Sequence, residues 1–237
     1  MLARRPETLH DSREVTYDKD HWNLLSRIRQ RAIHVMKKIE SSGIHSLVHG
    51  SVARGDVTES SDVDIIIPQV ISSYRLEIVL GPVLQRELVQ ATPSMVLKGH
   101  IHLEDDIVVS FPMFKLRKRE EEFYHWGGAL DCKAIEAEKR VPGVDKRLIL
   151  IEPTPTGHIE YGVIGHEHEV AKKLNVSLEI AQERERVLTR RDSVGRTGVY
   201  LTRVLKDSES FEEVAKQLQD NDPALRRTID RRYGRRR

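Results

Sequence analysis

The sequence predicts an α/β protein of the α+β kind, with helices packed on a mixed-sheet core and a small helical C-terminal unit following it. Three observations carry this. Residues 20–42 repeat apolar side chains at helical steps. Short apolar runs bounded by Gly, Pro or acidic turns follow at 44–49, 63–67, 95–103 and 106–111. Beyond Gly165 the patterns are helical almost throughout. At 237 residues the chain is long enough to bury a sizeable core.

In the first helix Trp22, Leu25, Ile28, Ala32, Val35, Met36 and Ile39 recur at intervals of three and four, and Gly43 supplies the stop. Ile44 to His49 reads as a short strand ending at Gly50-Ser51, and Val63 to Ile67 as a second, closed by Pro68. A helical pattern resumes from Ser72 to Leu88, broken or kinked at Gly81-Pro82. Met95 to Leu103 and Asp106 to Phe111 read as two strands about the acidic turn Glu104-Asp105.

Residues 116–160 are less regular. A basic run, KLRKR, is answered by EEE, then come the aromatic cluster FYHWGG and a stretch punctuated by Pro and Gly. They predict a connector packed across the core, with one apolar strand at Leu148 to Ile151. Further on, Ala171, Leu174, Asn175, Val176, Ser177 and Ile180 sit at the offsets of a helix-turn-helix within 166–188. Glu179, Glu183 and Glu185 on its second helix would face phosphates badly, so a plain helical hairpin is the competing reading. Ser210 and Glu213 have the spacing of a capping box, and Pro223 follows Asp222 at the start of a last helix. The domains expected are therefore a core over 1–115, the connector over 116–160 and a helical domain over 161–237.

Basic and acidic residues nearly balance, 39 against 37, so overall charge says little about partners. Its distribution says more. Residues 224–237 hold seven arginines against one aspartate, a net +6 in a chain whose total is +2, which leaves the remainder near −4. A clustered positive tail is the electrostatic footprint of a polyanion partner, nucleic acid first, although a solvated terminus would have the same composition. Cys132 is the only cysteine, which argues against a disulfide framework and for a reducing, cytoplasmic setting. The N-terminal stretch is charged, and no run approaches the roughly 18 apolar residues of a membrane span.

The densest chemistry lies in HGSVARGDVTESSDVDIII, residues 49–67. In an extended strand Asp62 and Asp64 share one face while Val63, Ile65 and Ile67 take the other. Two carboxylates held close together repel unless a cation offsets them. Hard oxygen ligands completed by water and phosphate suit Mg²⁺, whereas zinc would want His or Cys. The preceding turn is suited to the phosphates of a nucleoside triphosphate: Gly50 permits close backbone approach, the Ser51 hydroxyl and nearby N–H groups can bond oxygen, and Arg54 can reach an anion.

The Gly-Ser turn with Ser-x-x-Arg-Gly, the Asp-x-Asp pair and the apolar strand after it resemble the signature of the DNA polymerase beta-like nucleotidyltransferase superfamily. The Ser-x-x-Arg-Gly form is similar to that of the minimal nucleotidyltransferases. The resemblance covers about residues 20–115 and implies that this segment is the catalytic domain. It also implies a third carboxylate on a later strand, with Glu104, Asp105 and Asp106 as candidates. If Ile107, Val109 and Phe111 pack inward, the open face takes Asp106, Val108 and Ser110, so Asp106 is chosen; DDIVVSF also resembles the corresponding strand of archaeal-type CCA-adding enzymes.

What the resemblance implies is a Mg²⁺-dependent transfer of a nucleoside monophosphate from an NTP. Two ions about 3.5–4 Å apart would be held by Asp62, Asp64 and Asp106, with Gly50, Ser51 and Arg54 on the nucleotide. The basic tail and KLRKR make RNA the leading acceptor. A protein or small-molecule acceptor, or a nucleic-acid-binding protein with a vestigial site, are the alternatives. The pairs His100/His102 and His166/His168 lack further ligands for a metal site. Lys98 lies close enough in sequence to meet a phosphate, Tyr124 and Trp126 read as core rather than base-stacking groups, and VGRTGVYL, 194–201, reads as a turn.

Overall fold

A computed structural model describes residues 5–195 and 198–234. Arg196 and Thr197 of the glycine-bounded turn, and the three arginines at 235–237, lie outside the described residues. In chain order the first elements are β1 (Arg13–Thr16), α1 (Lys19–Ser41), β2 (Leu47–His49), α2 (Ser51–Arg54), β3 (Val63–Ile66), α3 (Ser73–Leu80), β4 (Gln85–Gln90), β5 (Lys98–Leu103) and β6 (Ile107–Pro112). Then follow α4 (Lys118–Gly127), β7 (Ala129–Asp131), α5 (Cys132–Glu136), β8 (Gly143–Val144), β9 (Ile149–Thr154) and β10 (Gly157–Gly162). The last are α6 (Glu167–Lys173), α7 (Leu178–Val194), β11 (Leu201–Val204), α8 (Phe211–Asn221) and α9 (Pro223–Arg232). Helix and strand mix as the sequence predicts.

These elements form two units that interleave along the chain. One takes residues up to Ile33, Val48–Ser61 and the stretch from Glu121 to residue 195; the other takes His34–Leu47, Asp62–Glu120 and residues 198–234. The long helix α1 contributes to both.

The first unit is built on an antiparallel sheet in the order β1-β10-β9-β8, with Arg13 opposite Glu160 and Thr154 opposite Gly157 at the hairpin. Trp126, Leu148, Leu150, Val163, Val170 and Ile180 share one buried cluster. Of FYHWGG, Trp126 belongs to that cluster and Phe123 packs against it, and Tyr124 is buried as well. The cluster also accounts for the helix-turn-helix-like offsets, since Val170 and Ala171 of α6 pack with Ile180 and Ala181 of α7 as a hairpin. Residues 116–160, read as a connector with one strand, supply two helices, three whole strands and most of a fourth.

The second unit holds the carboxylate strand. Its strands lie side by side in the order β11-β4-β5-β6-β3; β3 and β6 are parallel and the rest antiparallel. Val63, Ile65, Leu88, Ile101, Val109 and Phe111 are buried, as are Leu76 of α3 and Phe211 and Val214 of α8. Phe111 meets Phe211 edge to face at 5.0 Å between centroids. Gly99 makes room for this, because a Cβ there would lie 2.4 Å from the Phe111 ring.

The helical pattern expected over 72–88 stops at Leu80. Gly81, with φ 77°, and Pro82 terminate α3, and QRELVQ continues as β4. Within β4 the fully buried residues are Leu88 and Gln90, two apart, a strand period that a helical reading had absorbed. Ser210 caps α8 by accepting from the Glu213 N–H, and Asp222 caps α9 by accepting from Ala224 and Leu225. Arg232, counted in the basic tail, points inward instead: it is bonded to both carboxylate oxygens of Glu120 and to the carbonyls of Lys115 and Ser94. Among the described residues no helix is long and apolar enough to cross a membrane.

Candidate functional site

The Asp-x-Asp pair stands where alternation predicts. Val63 and Ile65 are fully buried, whereas Asp62 is exposed and Asp64 half-buried. The parallel register sets Asp64 beside Val108 and Ile66 beside Ser110, so Val108 and Ser110 share the face of Asp64. Asp106 lies immediately before β6, where its carbonyl accepts the Val63 N–H at 3.0 Å. It is therefore beside the start of β3 through its backbone. Asp105 and Asp106 both have positive φ, 61° and 56°, in the tight turn from β5. Aspartate tolerates this conformation better than most residues, but it takes Asp106 out of the strand's alternation, so parity does not fix the direction of its carboxylate.

Among the described residues no group of three or more His, Cys, Asp or Glu side chains is gathered so as to hold a metal ion. The two aspartates on one strand face nevertheless fit a hard cation of the magnesium type, which commonly takes one or two protein carboxylates and completes its shell with water and substrate phosphate.

The Gly50-Ser51 turn belongs to the first unit. Gly50 has φ 79° and ψ −141°, a conformation that favours glycine, and a Cβ there would meet nothing within 4 Å. The Ser51 hydroxyl donates to Ser61 Oγ at 3.3 Å, and Ser61 Oγ accepts the Thr58 N–H at 2.9 Å. The N–H groups of Ala53 and Arg54 are used inside the turn, both donated to the Gly50 carbonyl at 3.0 Å. Arg54 is buried. Its Nε and Nη2 donate to the two oxygens of Asp56 at 2.9 and 3.0 Å, and Nη1 to the Gly127 carbonyl at 2.6 Å. Three of its five N–H donors are thus engaged in holding the loop. Behind the turn, Arg29 donates to the carbonyls of Val52 and Ala53, and burial, with the nearby Arg140 charge, lowers its pKa to about 10. Arg29 was not foreseen; its one trace in the sequence is an arginine beside the buried stripe of α1.

The face of the sheet that carries Asp64 continues beyond β3. Antiparallel pairing places His102 opposite Val108 and His100 opposite Ser110. His100 Nδ1 lies 2.9 Å from Ser110 Oγ, and His102 Nε2 lies 2.9 Å from Glu87 Oε1 on β4. His100 is held neutral: burial, then the charges of Lys98 and His102, lowers its pKa to about 4. The shared face of the two histidines is legible in KGHIHL. Their separate partners are not, because the segment that supplies Glu87 reads as helix.

A cleft of about 500 Å³ in the first unit was also unforeseen. On its wall the Tyr17 hydroxyl lies 2.6 Å from His158 Nδ1, and Glu160 is held by Arg147 at 2.6 Å. Burial, then the Asp56 charge, raises the Tyr17 pKa, and burial lowers that of His158. The first contact ties the residue after β1 to β10, and the second ties β10 to the turn before β9.

A family model described as a nucleotidyltransferase domain matches residues 29–191, more than half of the chain. The matched span contains the Gly50-Ser51 turn, the Asp-x-Asp strand and Asp106. No curated protein and no solved structure matches the chain.

Proposed function

We propose, from the premise that the chain belongs to the nucleotidyltransferase domain family, that it moves a nucleoside monophosphate from an NTP to an acceptor hydroxyl, most readily on RNA. The observation that carries this is the face of β3. A strand anchored by the buried Val63 and Ile65 presents Asp62 and Asp64 on its other side, beside a parallel strand preceded by Asp106. Those three carboxylates are the residues that would hold Mg²⁺, in one or two ions. When bound, such an ion offsets the charge of the phosphates and of the leaving pyrophosphate.

Gly50 and Ser51 are assigned to the phosphates through the backbone and the hydroxyl. Arg54, whose guanidinium is taken by Asp56 and Gly127, supports that assignment by fixing the loop rather than by meeting an anion itself.

RNA is favoured by a basic surface in the same unit as the aspartates. Lys115, Arg117, Lys118 and Arg119 are exposed, as are Arg227 and Arg231 on α9. Arg232 fastens α9 to this segment by donating to the Lys115 carbonyl at 2.9 Å and to Glu120. Backbone phosphates are bound by arrays of this kind without regard to sequence. A cytoplasmic setting belongs to the same proposal and rests on the single cysteine.

The test is incubation with each α-labelled NTP, Mg²⁺ and total cellular RNA. Label should enter RNA with the wild-type protein and not with Asp62→Asn. Label that enters protein or small molecules instead would remove RNA as the acceptor, and equal labelling by Asp62→Asn would remove the catalytic assignment.

A further inference from the structure

The loop assigned to the phosphates is gripped from behind by α1. A short helix leaves most of its carbonyls without partners of its own. In α2 the Ser51 carbonyl accepts the Gly55 N–H, and those of Val52 and Ala53 turn to other donors. Both meet Arg29, whose Nε donates to the Val52 carbonyl at 3.1 Å and whose Nη2 donates to that of Ala53 at 3.2 Å. The Val141 N–H adds a longer bond to the Ala53 carbonyl, at 3.4 Å. The same two peptide groups are in use at their other end. Their N–H groups, which belong to Ala53 and Arg54, are both donated to the Gly50 carbonyl at 3.0 Å. One guanidinium thus holds by the oxygens the two peptide planes that hold Gly50 by the nitrogens. Earlier on α1, His21 Nε2 lies 2.8 Å from the Gly55 carbonyl, which extends the grip to the end of the loop.

Packing alone does not call for an arginine at this place. Its neighbours on α1, Leu25, Ile28 and Ala32, are buried apolar residues, and Arg29 itself is 6% exposed. Among the described residues its hydrogen-bond partners are these carbonyls and no carboxylate. Its pKa, lowered to about 10 by burial first, still leaves it charged at neutral pH. A buried charge without a counter-ion is costly, and an apolar side chain of similar volume joins two elements without that cost. An apolar side chain cannot, however, fix the direction of two successive carbonyls. Peptide groups are rigid planes, so fixing the oxygens of Val52 and Ala53 fixes the N–H groups that point at Gly50. Gly50 stands at φ 79°, where few other residues are stable, and Ser51 follows it directly.

We propose that Arg29 is a positioning residue for NTP binding, setting the Gly50-Ser51 turn before the phosphates arrive; this rests on the reading of Gly50 and Ser51 as groups that meet them. Arg29 touches no substrate and takes no part in bond making. It acts through the two peptide groups it holds on Gly50, and so on the direction in which the Ser51 hydroxyl and the nearby backbone are presented. A turn fixed in advance needs no ordering when the ligand binds, so loss of the grip is read in affinity. Because the held groups belong to the phosphate turn, that loss should be the same for every base.

The test measures the affinity of wild type, Arg29→Met and Arg29→Lys for each NTP and for tripolyphosphate, which has the phosphates without sugar or base. Binding is read with Mg²⁺ well below each protein's unfolding midpoint, and transfer to total RNA is followed in parallel, with Asp62→Asn included. Arg29→Met keeps an unbranched chain and removes every donor. It should weaken NTP and tripolyphosphate binding alike, by about 10- to 100-fold, with KM raised more than kcat is lowered. Arg29→Lys retains the charge without the planar fork that spans two carbonyls, and should recover part of the loss. An arginine that served the fold alone would lower the unfolding midpoint and leave the affinity of the folded protein at the wild-type value; that result in Arg29→Met overturns the proposal. So does a loss confined to one NTP, or one absent with tripolyphosphate. If Arg29→Met does not fold, Arg29→Lys decides, and wild-type affinity there overturns the assignment. Equal transfer by Asp62→Asn removes the catalytic reading alone, while no binding of NTP or tripolyphosphate by wild type overturns both.

Discussion

Asp62 and Asp64 belong to the same unit as Glu120, yet the chain treats these carboxylates in opposite ways. Glu120 receives four donors: Arg232 through Nη1 at 2.5 Å and Nη2 at 2.7 Å, and the N–H groups of Val96 and Arg117, both at 2.8 Å. Burial alone would raise its pKa, but the bonds from Arg232 and the two backbone donors leave it lowered. Asp62 stands exposed at the head of β3, with Asp64 half-buried after it. A carboxylate clamped on every side secures the fold and has nothing left for a ligand. Asp62, exposed at the head of its strand, gives the fold little and keeps its lone pairs accessible.

The sharpest way to break this contrast is to neutralise one carboxylate from each region. Asp62→Asn or Asp64→Asn should reduce nucleotide transfer by about 10²–10³-fold, as loss of a preorganised electrostatic group does. For Asp62→Asn, thermal unfolding should change by no more than about 0.5 kcal/mol, since Asp62 is exposed and removing a like charge relieves repulsion. A large loss of stability in that variant would mean that Asp62 is structural.

Glu120→Ala should show the opposite pattern. The Arg232 side chain is only 2% exposed, and it would be left without its carboxylate. Breaking a buried pair in this way costs about 3–5 kcal/mol, read as a lowered midpoint in denaturant. The sign with pH follows from the lowered pKa of Glu120: its contribution is complete above the ordinary carboxylate range and fades as pH falls through that range and below. Transfer per folded molecule should survive at low salt.

The sequence reached the outward region and missed the inward one for a physical reason. Alternation along β3 is local, so DVDIII alone separates Asp62 and Asp64 from Val63 and Ile65. The parity of β6 was legible in the same way, since Val109 and Phe111 are indeed buried. Nothing local marks Glu120 as the anchor of Arg232, because the two stand 112 residues apart. The same holds for the Tyr17–His158 and Arg54–Gly127 bonds, which join segments 141 and 73 residues apart. Asp106 is an intermediate case. Its place next to β3 was foreseen, but its left-handed backbone was not, because an acidic turn written Glu-Asp-Asp does not say where the strand begins. β4 was lost because a single sequence cannot show that Gly81-Pro82 ends one element and starts another of a different kind.

His100 tests how far burial alone reaches on the open face. With a pKa of about 4 in the fold against 6.5 unfolded, it is neutral in the native state while the unfolded chain takes up a proton. Stability from this source is therefore complete above about pH 6.5 and declines as pH falls toward 4, by on the order of 3 kcal/mol. Urea denaturation at pH 7 and pH 4.5 should show the decline, and His100→Gln should flatten that part of it. An equal decline in the variant would transfer the effect to other groups.

The smallest expected effect separates outward from inward arginines on a single helix. Arg227 and Arg231 of α9 are exposed, whereas Arg226 donates to the Gln219 and Asp220 carbonyls and Arg232 is buried against Glu120. If the exposed pair meets RNA phosphates, Arg227→Ala with Arg231→Ala should weaken binding by a similar factor on unrelated RNA sequences. Each lost contact should lower the slope of log affinity against log salt by about 0.7. Protein stability should stay within about 0.5 kcal/mol of wild type, because neither guanidinium anchors the helix. Arg232→Ala should do the reverse: lower stability by several kcal/mol, with RNA binding lost only as the helix comes away. A double variant whose salt slope equals that of wild type would move the RNA surface off α9 and leave Lys115 to Arg119 as the basic segment to substitute next.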